Sequence, residues 1–159
     1  MIPEKAVDFI FSFDSLVHAD EETVHTYISQ LPGLLTPDGA AFIHHSNLGE
    51  TFWYRRFPQV SRTLSKIGLL DWWHYRDTTL TAAAAAHYAE EAGLLCIRQE
   101  IITLGTRRMM IDCFSTFVMP GSPFNQQKQV LRNRRFMQER ENLQGLARLY
   151  SPTGSPKDR

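Results

Sequence analysis

Cysteine is scarce in this 159-residue chain, and the two present, Cys96 and Cys113, each stand alone within an apolar run. Their spacing fits no metal or redox pair, so both are expected to be small buried side chains. An excess of charge of one sign is also lacking, because 17 Lys and Arg balance 17 Asp and Glu. The overall field therefore gives no pull toward nucleic acid or an anionic membrane, and neither partner is expected. No apolar run reaches the roughly 18 residues that a membrane-spanning helix needs. The start, MIPEKAVDFIF, has neither a basic leader nor a small-residue cleavage site, so a cytoplasmic location is expected. The glycines are isolated: there is no G-x-G turn, phosphate loop or G-x-S-x-G elbow to suggest a nucleotide-binding or hydrolase family. H-x-x-x-H and carboxylates clustered at ligand spacing are missing as well. Asp14, His44 and His45 could form a mixed nitrogen and oxygen shell, but no metal is expected.

What is there, 43% apolar and 21% charged residues, suits one globular α/β domain. Val7 to Phe13 is a strand-length apolar run, expected to be covered on both faces inside a sheet. Asp20, Glu21 and Glu22 then place negative charge at a helix start, and Val24, Tyr27, Ile28 and Leu31 recur at helical spacing. Pro32-Gly33 should end or kink that helix, and Thr36-Pro37-Asp38-Gly39 reads as a turn before a second strand, Ala40 to His45. A strand, covering helix and second strand make a parallel crossover, whose functional groups gather where the strands end. That edge would carry Asp14-Ser15 and His44-His45-Ser46-Asn47.

From Leu48 to Asp77 the pattern loosens into an insertion rich in aromatic and basic residues, partly helical around Phe57 to Ile67. Thr79 or Thr81 can cap the next helix, whose Ala82–Ala86 run has high helix propensity and whose stop is Gly93. Leu95 to Leu104 and Met109 to Val118 read as an antiparallel hairpin joined by Gly105 to Arg108. After the Pro120-Gly121-Ser122-Pro123 punctuation, Phe124 to Tyr150 reads as a helical segment, in one or two pieces, and Ser151 to Arg159 as a frayed tail. The expected organisation is a body over residues 1–119, a helical segment over 120–150 and a tail over 151–159.

Two local motifs sharpen this outline. Asp8-Phe9-Ile10-Phe11-Ser12-Phe13-Asp14-Ser15-Leu16-Val17-His18 resembles the fourth-strand motif of class I S-adenosylmethionine-dependent methyltransferases, with an Asp opening an apolar strand and a Leu-x-His closing the turn. Leu34-Leu35-Thr36-Pro37-Asp38-Gly39-Ala40-Ala41-Phe42-Ile43 is similar to the helix-turn-strand element before that family's fifth strand. The order of elements resembles the C-terminal half of the same fold, which ends in an antiparallel strand pair. Ile43 to Asn47, Arg76-Asp77 and the helix start at Thr81-Ala82 look like bacterial members that methylate sugars.

The resemblance implies a partial Rossmann-like fold, with parallel strands, a C-terminal antiparallel hairpin and a helical segment, and S-adenosylmethionine as cofactor. It spans about Val7 to Val118. The glycine-rich turn and the acidic ribose-binding residue of the family's N-terminal half have no counterpart here, so that half is expected to be missing before Met1. Ser12 and Phe13 match positions that line the cofactor. His18 matches the motif histidine, which is more often a buried anchor than a base.

Methyl transfer to an alcohol needs an aligned acceptor and a group that takes its proton. His45, and after it His44, stand where the strand should end, and alternation should point them in opposite directions. Either could be the base, or both could satisfy loop backbone groups. Asp14 could orient an acceptor hydroxyl, or cap the turn after Phe13. Asn47, Trp53 and Arg76 are the candidates for holding a glycan or small-molecule acceptor, with aromatic rings stacking on sugar C–H faces and guanidinium groups bonding hydroxyls. Trp72 and Trp73 could equally plug the sheet. Arg132, Arg134, Arg135 and Arg140 read as a solvated helix face.

An exposed strand beside the missing half would favour a homodimer or a complementing N-terminal half. The alternative to an enzyme or enzyme fragment is a non-catalytic binding module that has kept its acceptor surface and lost the cofactor site.

Overall fold

A computed structural model describes residues 3–51, 76–104 and 109–150. Trp53, the rest of the aromatic insertion over residues 52–75, the hairpin loop 105–108 and the tail 151–159 lie outside the described residues.

The chain forms a mixed α/β fold. Among the described residues its helices and strands are β1 (Val7–Ser12), α1 (Glu21–Leu34), β2 (Leu35–Ser46), α2 (Ala82–Glu91), β3 (Leu95–Ile102), β4 (Asp112–Val118), β5 (Gln129–Asn133) and α3 (Phe136–Tyr150). The five strands make one sheet in the order β1-β2-β4-β3-β5. β1 runs parallel to β2 and β5 to β3, while β4 is antiparallel to both β2 and β3. Four strands thus end at one edge of the sheet, where the reversed β4 begins.

Local chemistry accounts for the helix starts. The Asp20 side chain accepts the Thr23 N–H at 2.8 Å, and Thr81 accepts that of Ala84 at 3.0 Å, each satisfying a donor that the first turn leaves free. Gly93 closes α2 at φ +79, a conformation that glycine adopts without Cβ strain. α1 and α2 pack on one sheet face, with Val24, Ile28 and Leu31 meeting Ala85, Ala86 and Ala89 over Ala41, Ile43 and Phe117. The small alanines let α2 approach the strands closely.

Four expectations change. β1 is an edge strand, and Phe9 and Phe11 are more than half exposed, so its apolar run does not mark a strand covered on both faces. Pro32 and Gly33 lie inside α1, which ends only at Leu34. The missing proline N–H falls near the helix end, and burial of Leu31 and Leu35 in the core holds the last turn in place. Thr36–Gly39 forms a bulge within β2: register passes from Val7–Leu35 to Phe9–Ala40, so these four residues lie opposite Asp8, whose Oδ1 accepts the Thr36 hydroxyl at 2.9 Å. Gln129–Asn133, expected as helix, is a strand because its backbone pairs with the open edge of β3. No described helix is long and apolar enough to cross a membrane.

Candidate functional site at the carboxyl edge of the sheet

The edge where β1, β2, β3 and β5 end carries Ser12 to Asp14, His44 to Asn47, and Asp112 at the start of β4. Asp112 pairs in register with Ser46 on one side and Ile102 on the other, which puts a fully buried carboxylate at the middle of the edge. Arg76 neutralises it, with Nε donating to Oδ1 at 2.5 Å and Nη2 to Oδ2 at 2.9 Å. A two-point guanidinium–carboxylate pair fixes both groups in one plane.

His44 and His45 point to opposite sheet faces, as alternation requires. His44 lies on the face away from the helices, 5.1 Å from the Phe13 ring and 4.7 Å from that of Phe114. Its Nδ1 accepts the Asp14 backbone N–H at 3.1 Å, which places the ring proton on Nε2. Nε2 is buried without a hydrogen bond and sits 3.8 Å from Asp112 Oδ2. Asp14 itself adopts φ +57, a left-handed conformation that Asp tolerates better than most residues.

His45 is fully buried on the α2 side. Its Nδ1 donates to the Ser46 carbonyl and its Nε2 accepts the Ser115 hydroxyl, each at 2.8 Å. Gln99 Nε2 in turn donates to Ser115 Oγ at 3.0 Å and to the Ala82 carbonyl at 2.6 Å. Burial pushes the His45 imidazole down to about 4, so the ring is neutral at physiological pH. His45 therefore has both nitrogens hydrogen-bonded and no exposure, and His44 is equally buried with its Nδ1 lone pair taken by Asp14.

Asn47 is likewise consumed by structure. Its Oδ1 accepts the Ala82 N–H at 2.7 Å, and its Nδ2 donates to Glu50 and to the Met110 carbonyl. It ties the sheet edge to the start of α2 and leaves no polar atom for an acceptor. Ser12 shares a 2.8 Å hydrogen bond with Ser15. Burial pushes the Cys113 thiol up to about 12 and the Cys96 thiol up to about 11, as expected for structural cysteines.

Phe13, Asp14 and Arg76 do come together. They form the floor of a cavity of about 640 Å³, whose roof is α3 with Phe136, Glu139, Arg140 and Leu143. This volume lies within the usual range for small-molecule sites. Sequence reasoning missed Asp112 and the α3 roof. Asp112 had a readable signal, an acid opening the apolar run Cys113 to Val118, whereas nothing in α3 distinguishes a roof from a solvated helix.

The described residues do not make a complete S-adenosylmethionine site. Ser12 and Phe13 could face one side of the cofactor, but no glycine cradle accompanies them. A Cβ at Gly39 would lie 2.9 Å from the Val7 carbonyl oxygen and one at Gly49 would overlap that of Thr79, so both glycines serve backbone packing. Among the described residues, no group of three or more His, Cys, Asp or Glu side chains converges to hold a metal.

No family model matches the chain, and no curated protein matches it. Among solved structures, the chain is similar to the crystal structure of M1.HpyAVI, with 16% identity and a TM-score of 0.36 over 79% of this chain and 51% of that one. It is similar also to the M1.HpyAVI-SAM complex, with 12% identity and a TM-score of 0.37 over 80% of this chain and 56% of that one. The chain thus spans about half the length of the solved chains it matches. Its function has to follow from the residues themselves.

Proposed function

We propose that this chain is the acceptor-side portion of an S-adenosylmethionine-dependent methyltransferase and works with a cofactor-holding portion supplied by another segment or chain. The observation that carries this reading is the sheet order. The parallel pair β1-β2 is followed by β3 and β4, and the reversed β4 inserts between β2 and β3. The motif from Asp8 to His18 begins on β1, whose outer edge pairs with no other strand among the described residues.

An acceptor hydroxyl suits the cavity beneath α3. Phe13 and Phe136 offer ring faces for sugar or other C–H surfaces, and Asp14 and Arg76 offer an acceptor and donors for hydroxyl groups. Asp14 would orient the hydroxyl, and His44 would hold Asp14 in place through its backbone. Ser12 and Phe13 would form one wall for the cofactor, whose role is to supply the methyl group.

A second reading, a non-catalytic binding module, is favoured by one observation. His45, expected as the base, and Asn47, expected to hold an acceptor, are both engaged in structural hydrogen bonds.

Calorimetric titration of the folded chain with S-adenosylmethionine tests cofactor binding by this chain alone. Saturable binding that is lost in Phe13→Ala supports the transferase reading. Absence of uptake at high ligand concentration shows that this chain does not hold the cofactor alone, and leaves either a portion that needs its cofactor-holding partner or the binding module.

A further inference from the structure

The sheet face away from α1 and α2 carries a ladder of rings. Phe9, Phe11 and Phe13 are 58, 62 and 48% exposed. Phe11 stacks on Phe42 at 5.6 Å, and Phe42 on Phe114 at 5.2 Å. The ladder continues into a second cavity of about 800 Å³, lined by Asp8, Phe9, Asp38 and Phe124 among others. A contiguous apolar patch of this kind marks an interaction surface.

α3 presents the complementary problem. None of its residues is buried among the described residues, and Leu143, Leu146, Leu149 and Tyr150 are 52–84% exposed. A helix of this length is marginal in water unless an apolar face is covered. Within one copy, α3 reaches Phe114 through Phe136, at 5.6 Å, and the Phe13 end of the ladder, where Leu143 and Ala147 line the smaller cavity, and it leaves Phe9 and Phe11 open.

Charge indicates what covers them. Residues 3–40 carry seven carboxylates against one cation, Lys5, whereas residues 128–150 carry six cations against two carboxylates, Glu139 and Glu141. The acidic stretch supplies β1 and its bulge, with Asp8 and Asp38 beside the ladder. The basic stretch supplies β5 and α3, with Arg140 and Arg148 on the helix. Of the seven carboxylates, Asp20, Glu21 and Glu22 stand at the start of α1 on the other sheet face and Asp14 lines the cavity under α3, so the acidic margin beside the ladder is Asp8 and Asp38.

We propose that two copies of this chain pair about a two-fold axis, with α3 of each lying over the Phe9–Phe11 ladder of the other. The apolar stripe of the helix covers the rings, and Arg140 and Arg148 meet the partner's acidic margin. Two-fold symmetry makes every such contact twice and closes the assembly. This pairing is independent of the transferase reading, since no cofactor takes part in it.

Sedimentation equilibrium of the full chain tests the pairing directly, and charge exchange tests its geometry. A chain carrying Asp8→Lys and Asp38→Lys, and another carrying Arg140→Glu and Arg148→Glu, should each be folded by circular dichroism. Each should dimerise about tenfold more weakly, or worse, than the parent. An equimolar mixture of the two should recover the dimer, because each helix then faces a margin of opposite sign. A parent chain that stays monomeric at every concentration overturns the proposal, and so does a dimer indifferent to both charge reversals. Failure of S-adenosylmethionine titration leaves these outcomes unchanged, so the two proposals fail separately.

Discussion

The backbone N–H of Asp14 donates to Nδ1 of His44 at 3.1 Å, joining a left-handed turn at the sheet edge to a ring buried between Phe13 and Phe114. The ring thereby holds the residue that lines the candidate cavity. Removing it in His44→Ala forfeits this bond and leaves a hole in the aromatic layer, at an expected cost of about 2–4 kcal/mol in urea unfolding. Asp14→Gly relieves the positive φ while adding chain entropy to the unfolded state, so stability should stay within about 0.5 kcal/mol of the parent. Asp14→Val, whose branched Cβ is poorly accommodated there, should cost about 1–2 kcal/mol.

His45 sets an acid limit on stability. Its imidazole is pushed from 6.5 down to about 4 by burial, so between those values the unfolded chain takes up a proton that the folded chain refuses. The stability due to neutral His45 is complete above pH 6.5 and falls as pH drops toward about 4, by about 3 kcal/mol in all. Urea midpoints measured through this window should show that slope, and His45→Gln should remove its share. A parent and variant with parallel profiles would mean that another group governs the acid loss.

Arg76 and Asp112 act as a unit. Asp112 is fully buried, so Arg76→Ala strands a carboxylate without its counterion and should cost about 3–5 kcal/mol. Arg76→Ala combined with Asp112→Ala should cost less than the sum of the two single changes, with a coupling of about 1.5 kcal/mol or more. Additive costs in the double-mutant cycle would show that the pair is not coupled.

Two glycines should respond in opposite directions. Gly49→Ala would drive a methyl group into the Thr79 carbonyl and should destabilise by about 2 kcal/mol or more. Gly33 lies inside α1, and a methyl group added there would meet nothing within 4 Å beyond its own helix, so Gly33→Ala should stabilise by about 0.5–1 kcal/mol. Thermal melts of the two variants check both signs.

Much of this architecture is legible in local chemistry. The acidic start and apolar spacing of α1, the Thr81 cap, the alanine-rich α2 and its Gly93 stop, and the antiparallel β3-β4 pair all follow from interactions within a few residues or between adjacent segments. What escaped was decided by distant partners. Gln129–Asn133 has no strong strand pattern and is extended because β3 offers an edge. Thr36–Gly39 has ordinary turn chemistry, and only the register with β1 makes it a bulge. Strand alternation correctly separates His44 from His45, but it cannot tell which one finds Ser115 some 70 positions later and which one meets Asp14.

β4 is the last of the three inner strands to be synthesised, yet it is bonded to β2 on one side and to β3 on the other. Until Val118 has left the ribosome, a nascent chain holds β2 and β3 with unpaired inner edges, the kind of surface that recruits chaperones or stray strands. One late segment zips both ladders and delivers Asp112 to Arg76 in the same event. A message truncated before Asp112 therefore yields bare edges in place of a smaller sheet, and the sheet stays open until its final inner strand arrives.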